Sequence, residues 1–127
     1  MDSHAHADAL RSWFDKLAQQ NKLIIVEGAK DAAALRACGV RNAVMVLSKK
    51  PLYAVVEEAA EKTGDAIILT DFDKKGKELY GKLKKSLAAH GVRVDLFFRE
   101  FLQAHTTLSH IEGLKTYVQK YINKPEP

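Results

Sequence analysis

Between Ser3 and Gln20, apolar side chains recur at three- and four-residue steps through Ala7, Leu10, Trp13, Phe14 and Leu17. That spacing predicts an amphipathic helix, with Asp2 or Ser3 as its cap. The pattern then changes. Lys22–Val26 is a short β-branched run with no polar break, as in a strand buried on both faces of a parallel sheet. From there, apolar runs alternate with helical stripes. A helix from Asp31 to Cys38 ends at Gly39, where glycine suits a left-handed turn, and a second strand follows at Ala43–Leu47. Pro51 opens a helix striped by Leu52, Val55, Val56, Ala59 and Ala60, and Ala66–Thr70 reads as a third strand. Lys74 to His90 predicts another helix with Leu79, Tyr80, Leu83 and Leu87 inward, closed by Gly91, and Val92–Phe98 predicts a fourth strand. Ser109-x-x-Glu112 has the form of a capping box. It precedes a last helix along Ile111, Leu114, Val118 and Ile122 that stops at Lys124-Pro125, leaving Pro125–Pro127 to fray.

Strands alternating with helices predict an α/β, Rossmann-like fold: a parallel sheet of about four strands with right-handed crossovers and helices on both faces. Residues 1–21 form an N-terminal helix packed on the core, 22–98 the core, and 99–127 a C-terminal helix and tail, all within one domain. A length of 127 residues and a mass of 14.2 kDa leave room for little more. With 46% hydrophobic and 28% charged residues, the chain is not of the disordered class. The single Cys38 excludes an intramolecular disulfide and a Cys-rich zinc module, and fits a small apolar role in a reducing compartment. No run approaches the roughly eighteen apolar residues of a membrane span, and Met1–Leu10 lacks the order of a signal peptide, so no membrane association and a cytoplasmic location are expected. His4 and His6 read as solvated residues of a first helical turn, and Trp13 and Phe14 as anchors of that helix.

A formal net charge of +4 permits a polyanionic partner, and the distribution of charge decides its weight. Lys74, Lys75, Lys77, Lys82, Lys84, Lys85 and Arg93 face the single acid Glu78 within one stretch. Lys77, Lys82, Lys84 and Lys85 lie off the leucine face. By composition this is a solvated helix, and its place directly after an acidic loop sets phosphate contact level with that interpretation. Lys49, Lys50 and Pro51 form an ordinary exposed turn that could also touch phosphate, and Glu57, Glu58 and Glu61 form a solvated face. His90, His105 and His110 have no zinc-site spacing.

Strand carboxyl ends in such a sheet share one edge, where ligands bind. The first strand delivers Glu27 there, and the third delivers Asp71 and Asp73, which alternation directs to the same side. A lone Asp-x-Asp before a helix more often only caps it. Magnesium, however, is commonly held by one or two carboxylates with water and substrate phosphate. Phe72 packs inward between the two acids, and Gly76 lets the backbone turn sharply into the basic helix. Glu27 follows four apolar residues, where burial raises a carboxyl pKa and suits proton transfer, although a third metal ligand is an equal use. Gly28 permits close backbone approach to a phosphate, Lys30 adds a cation, and Asp31 caps the next helix.

Ile24-Ile25-Val26-Glu27-Gly28-Ala29-Lys30-Asp31 and Leu69-Thr70-Asp71-Phe72-Asp73-Lys74-Lys75-Gly76 resemble the two signatures of the Toprim superfamily. The family motif is a strand ending in Glu, usually Glu-Gly-x-x-Asp, and about forty residues later a strand ending Asp-x-Asp-x-x-Gly. The resemblance covers Lys22 to Phe98. Toprim domains occur in type IA and type II topoisomerases, bacterial-type primases, recombination-repair proteins, overcoming-lysogenization-defect nucleases and the ribonuclease that matures five-S ribosomal RNA. It implies Glu27 as general acid or base, Asp71 with Asp73 as a Mg2+ site that Mn2+ can substitute, and Gly28 and Gly76 as shapers of the loops. Lys75 stands where type II topoisomerases have a third acid, which argues against a second fully bound ion. None of Tyr53, Tyr80, Tyr117 and Tyr121 has the separate domain that a topoisomerase nucleophile needs, and the zinc module and larger body of primases are missing. The motifs most resemble those of the maturation ribonuclease in a small stand-alone Toprim protein. The expected function is Mg-dependent phosphodiester chemistry, a small nuclease or RNA-processing enzyme with RNA favoured over DNA. Its phosphate or nucleic-acid contacts would be Gly28, Lys30, Lys74, Lys75, Gly76, Lys77, Lys82, Lys84 and Lys85. The alternative is a metal-assisted nucleic-acid or nucleotide-binding module that depends on a protein partner for catalysis or substrate choice. A receiver-like regulatory domain ranks last, because Glu27 alone ends the first strand.

Overall fold

A computed structural model describes residues 3–122. The cap expected from Asp2, the helix end at Lys124-Pro125 and the tail lie outside these residues. Four strands, β1 (Leu23–Val26), β2 (Val44–Val46), β3 (Asp65–Leu69) and β4 (Arg93–Val94), form one parallel sheet in the order β2-β1-β3-β4. Ile25 of β1 lies opposite Met45 on one side and Ile68 on the other. Around the sheet run α1 (Ser3–Gln20), α2 (Ala29–Ala37), α3 (Leu52–Lys62), α4 (Lys74–Ala89), α5 (Phe97–His105) and α6 (Leu114–Tyr121), with 3-10 turns at Leu47–Lys49 and Ile111–Gly113. None of these helices is long and apolar enough to cross a membrane.

Side-chain alternation along the strands divides the core into two layers. Ile24, Val26, Ile67 and Leu69 face Trp13, Leu17, Leu35, Phe98, Leu102, Ile111 and Leu114, which come from α1, α2, α5, α6 and the turn before α6. Leu23, Ile25, Ala66 and Ile68 face Val55, Val56 and Ala59 of α3 and Leu83 and Leu87 of α4. Both faces of β1 are thus covered, which is why its sequence is uninterrupted Leu-Ile-Ile-Val. Gly39 and Gly91 follow α2 and α4 at φ +86° and +79°, the left-handed turns expected of them.

Several expectations need correction. The fourth strand stops at Val94, and Phe97 and Phe98 begin α5 instead. Asp95 breaks the strand: its Oδ1 accepts from the Phe97 N–H at 3.1 Å and its Oδ2 pairs with Lys22 Nζ at 3.0 Å. Phe97, Phe98, Phe101 and Leu102 form a helical stripe that an apolar run of strand length conceals, and Trp13 Nε1 donates to the Phe98 carbonyl at 2.9 Å. The capping box at Ser109 is not formed. Ser109 Oγ lies 2.9 Å from His110 Nδ1, and the Ile111 N–H donates to Asp71 Oδ1 at 2.8 Å. His6 is not solvated but 9% exposed, with Nε2 2.7 Å from the Tyr117 hydroxyl and its ring edge-on to Tyr121, tying α1 to α6.

The order β2-β1-β3 makes the space between β1 and β3 the point where the chain reverses its direction across the sheet. One close contact holds that point shut. Gly76 lies in the first turn of α4 without a positive φ, so the sharp turn expected of it is absent. A Cβ there would lie 2.0 Å from the Asp71 carbonyl oxygen, inside backbone that has nowhere to move. Thr70 Oγ1 adds a 2.8 Å bond to the Gly76 carbonyl. We expect Gly76→Ala to destabilise the fold by about 3 kcal/mol or more, the upper range for overpacking. Gly81→Ala, in the same helix with nothing within 4 Å of the new methyl, should stabilise it by about 0.5–1 kcal/mol. Urea denaturation of the two variants measures both, and equal effects would remove the steric account.

Candidate metal centre

Glu27, Asp71 and Asp73 emerge from the carboxyl ends of β1 and β3, and the backbone joins them into one edge. The Asp71 N–H donates to Glu27 Oε2 at 2.7 Å, linking residues 44 positions apart. Burial is the main force raising the Glu27 pKa above the ordinary carboxylate value, and the charges of Asp71 and Asp73 add to it. The Asp71 N–H and the Lys75 ammonium offset part of that rise. The group is therefore biased toward holding a proton.

Asp73 is the N-cap of α4, its Oδ1 accepting from the Gly76 N–H at 2.8 Å, so the ordinary role of an Asp before a helix is realised. Asp73 Oδ2 stands 3.4 Å from His110 Nε2. Asp71, Asp73 and His110 each offer one ligand atom within 4.8 Å of the others'. Glu27 stands beside this trio, not in it. Two carboxylates with one imidazole suit a divalent cation, and each Asp keeps an oxygen not taken by a backbone N–H, so the donor set fits a divalent ion.

The basic residues divide into two groups. Lys30, Lys74 and Lys75 are exposed at the starts of α2 and α4, around the acids. Lys77, Lys82, Lys84 and Lys85 are exposed along α4, and at about 1.5 Å per residue Lys85 lies about 13 Å beyond Gly76. Lys84 rests its ammonium 5.1 Å from the Tyr80 ring centre. Gly28 is the N-cap of α2 and donates its N–H to Asp31 Oδ2 at 2.9 Å, so the buried Asp31 lies one turn inside a helix that starts two residues earlier than expected and bonds back to its cap. A Cβ on Gly28 would meet Asp31 Oδ2 at 3.8 Å, an ordinary van der Waals contact. Lys50 is paired with Glu58. The cleft of about 400 Å³ lined by Phe14, Cys38, Lys115 and Val118 shares no residue with this edge.

Two residues at the edge escape sequence reasoning. Arg99, 2% exposed, donates from Nη2 to the Asp71 carbonyl at 2.7 Å, and its guanidinium stacks 4.8 Å from the Phe72 ring centre and 4.4 Å from that of Tyr80. Burial lowers its pKa from the usual arginine value, while the nearby Tyr80, Glu27 and Asp71 oppose that fall, and a guanidinium remains charged. Its Nε and the Tyr80 hydroxyl are the buried side-chain atoms left without a hydrogen-bond partner among the described residues. The only signal for Arg99 was a cation on the apolar face of a helix, and the strand assignment hid that helix. His110 gave no signal, because its position depends on the return of the chain after α5.

A family model described as Toprim domain matches residues 21–98. Among curated relatives, the UPF0292 protein of Thermococcus onnurineus is 40% identical over 115 residues, covering 89% of this chain and 86% of that protein. The UPF0292 protein of Methanocaldococcus jannaschii is 32% identical over 108 residues, covering 83% and 84% of the two chains. A solved structure of a protein from Aquifex aeolicus superposes with a TM-score of 0.73 at 34% identity, over 81% of this chain and 95% of that one. With the strand-end glutamate, the paired aspartates and the sheet order that joins them, this match shows that the chain belongs to the Toprim family.

Proposed function

We propose that this protein is a divalent-metal-dependent enzyme that hydrolyses nucleic-acid phosphodiester bonds, with RNA favoured over DNA. Family membership supports a metal-dependent function related to nucleic acids. The observation that carries the finer reading is the 2.7 Å bond between Glu27 and the Asp71 N–H, which sets a carboxyl whose pKa burial raises beside two aspartates. Asp71 and Asp73 would hold the cation, Mg2+ or Mn2+. When bound, it would orient a phosphate and stabilise developing negative charge on its oxygens. Glu27 would move a proton to or from the attacking or leaving oxygen. Gly28 leaves room for a phosphate to approach the backbone, and Lys30, Lys74 and Lys75 supply cations around the same edge. Lys77, Lys82, Lys84 and Lys85 would lead the polyanion along α4.

A second reading follows from the use of Asp71 and Asp73 as backbone caps, since acids that serve structure alone would leave a binding module that requires a protein partner for chemistry. Turnover separates the two. Wild type should cleave structured RNA only with Mg2+ or Mn2+, and Glu27→Gln should lower the rate about 10²–10⁴-fold with binding retained. Asp71→Asn keeps an oxygen for the Ile111 N–H, so it should unfold within about 1 kcal/mol of wild type while losing metal-dependent cleavage. Binding with no turnover by wild type selects the module, and equal cleavage by wild type and Asp71→Asn marks a contaminant.

The basic helix has its own test. Each lysine in true phosphate contact releases condensed counterions, so Lys82→Ala with Lys85→Ala should flatten the log–log salt dependence of RNA binding by about 0.7–0.9 per contact. Both side chains are exposed and stability should change by less than about 0.5 kcal/mol per site. An unchanged slope would make α4 a solvated face.

A further inference from the structure

We propose that His110 is a direct ligand of the cation at Asp71 and Asp73, and that its nitrogen makes the site select a first-row transition dication such as Mn2+ over Mg2+. The inference rests on the reading that the two aspartates hold a divalent ion, and it concerns which ion and through which third side chain.

The loop bearing His110 is fastened to the loop bearing the aspartates on both sides of the histidine. The Phe72 N–H donates to the Ser109 carbonyl at 2.9 Å, and the Ile111 N–H donates to Asp71 Oδ1 at 2.8 Å. Residue 110 is therefore held at the mouth of the acidic edge by bonds that do not involve its own side chain. Ser109 Oγ lies 2.9 Å from His110 Nδ1, and a hydroxyl that accepts from Nδ1–H leaves the Nε2 lone pair available. Nε2 stands 3.4 Å from Asp73 Oδ2, beyond the roughly 2.7–3.2 Å of a good hydrogen bond. Two adjacent ligands each about 2.1 Å from one ion lie about 3.0 Å apart, so the observed pair is close to the spacing that a shared cation imposes. The His110 side chain is about half exposed, which gives it the freedom to close the remainder. Mg2+ prefers oxygen donors, whereas imidazole raises affinity along the transition series, so a histidine in the third position shifts preference away from Mg2+.

The experiment is Mn2+ binding to the full chain, followed by electron paramagnetic resonance, with Mg2+ as competitor. Wild type should bind Mn2+ and show a nitrogen-14 coupling in the electron spin echo. His110→Gln should lose that coupling and weaken Mn2+ at least about tenfold, with Mg2+ affinity altered much less. His110→Asp, which returns an oxygen ligand, should bind both ions and favour Mg2+. Thermal unfolding of His110→Gln should match wild type, because neither loop bond uses the side chain at position 110. Mn2+ bound without nitrogen coupling, and with a Mn2+/Mg2+ preference unmoved by His110→Gln, would reduce His110 to an ion-pair partner of Asp73. That outcome overturns this inference and leaves the aspartate site standing. Failure of wild type to bind either ion would overturn the aspartate site, and this inference with it.

Discussion

Asp71 is the residue through which four segments of the chain meet. Its N–H is taken by Glu27 at the end of β1, its carbonyl by Arg99 of α5, and its Oδ1 by the N–H of Ile111 before α6. The same carbonyl lies against the Cα of Gly76, so that no side chain fits between β3 and α4. Each buried backbone group without a partner costs about 1–3 kcal/mol, so these bonds fix one another. A shift at Asp71 would break contacts with a strand, two helices and a loop together. The acidic edge is rigid because its central residue is the joint of the fold.

Such a joint gathers negative charge, and the structure counters it from beneath. Arg99 is placed under the Asp71 loop with Phe72 and Tyr80 on its guanidinium, away from solvent. Removing an arginine charge from water costs several kcal/mol, which the bond to the Asp71 carbonyl and a longer one of 3.4 Å to Gln103 Oε1 do not offset. Tyr80, Glu27 and Asp71 oppose that penalty without cancelling it, and Nε is left unpartnered. Arg99 thereby sets a positive charge beneath the edge, close to Glu27 and Asp71. Glu27 still rises in pKa, because burial outweighs the help it receives.

Elements with a strong local pattern were legible without coordinates. Leu23–Val26 and Ala66–Leu69 are continuous apolar runs because both sheet faces are covered, and Glu27, Asp71 and Asp73 follow them by position alone. Val92–Phe98 misled because two valines and two phenylalanines satisfy a strand as well as a helix start, and only the bond from Asp95 to Phe97 decides between them. Gly76 was legible as a required glycine but for the wrong reason: its need is steric, set by a carbonyl five residues earlier in the chain. His6 looked solvated because Tyr117 and Tyr121, which cover it, lie at the far end of the sequence. Arg99 and His110 share this cause. Their roles depend on which loop the chain returns to, and periodicity carries no record of that.

The edge also shows how one residue type serves structure and chemistry together. A carboxylate has two oxygens, and here one of them anchors a backbone N–H: Glu27 Oε2 to Asp71, Asp71 Oδ1 to Ile111, Asp73 Oδ1 to Gly76. Asp31 does the same for Gly28. The anchored oxygen fixes the side-chain rotamer, so the second oxygen points where the loop directs it and loses little freedom when a ligand binds. An acid that only capped a helix would need no companion, and an acid that only bound a cation would need another group to orient it. Pairing the two uses in each side chain lets a sheet edge of short loops hold several acids in fixed geometry without a large domain around them. Small size and a defined acidic site are therefore compatible in this chain, because the backbone N–H groups of its own helix starts and loops orient the carboxylates.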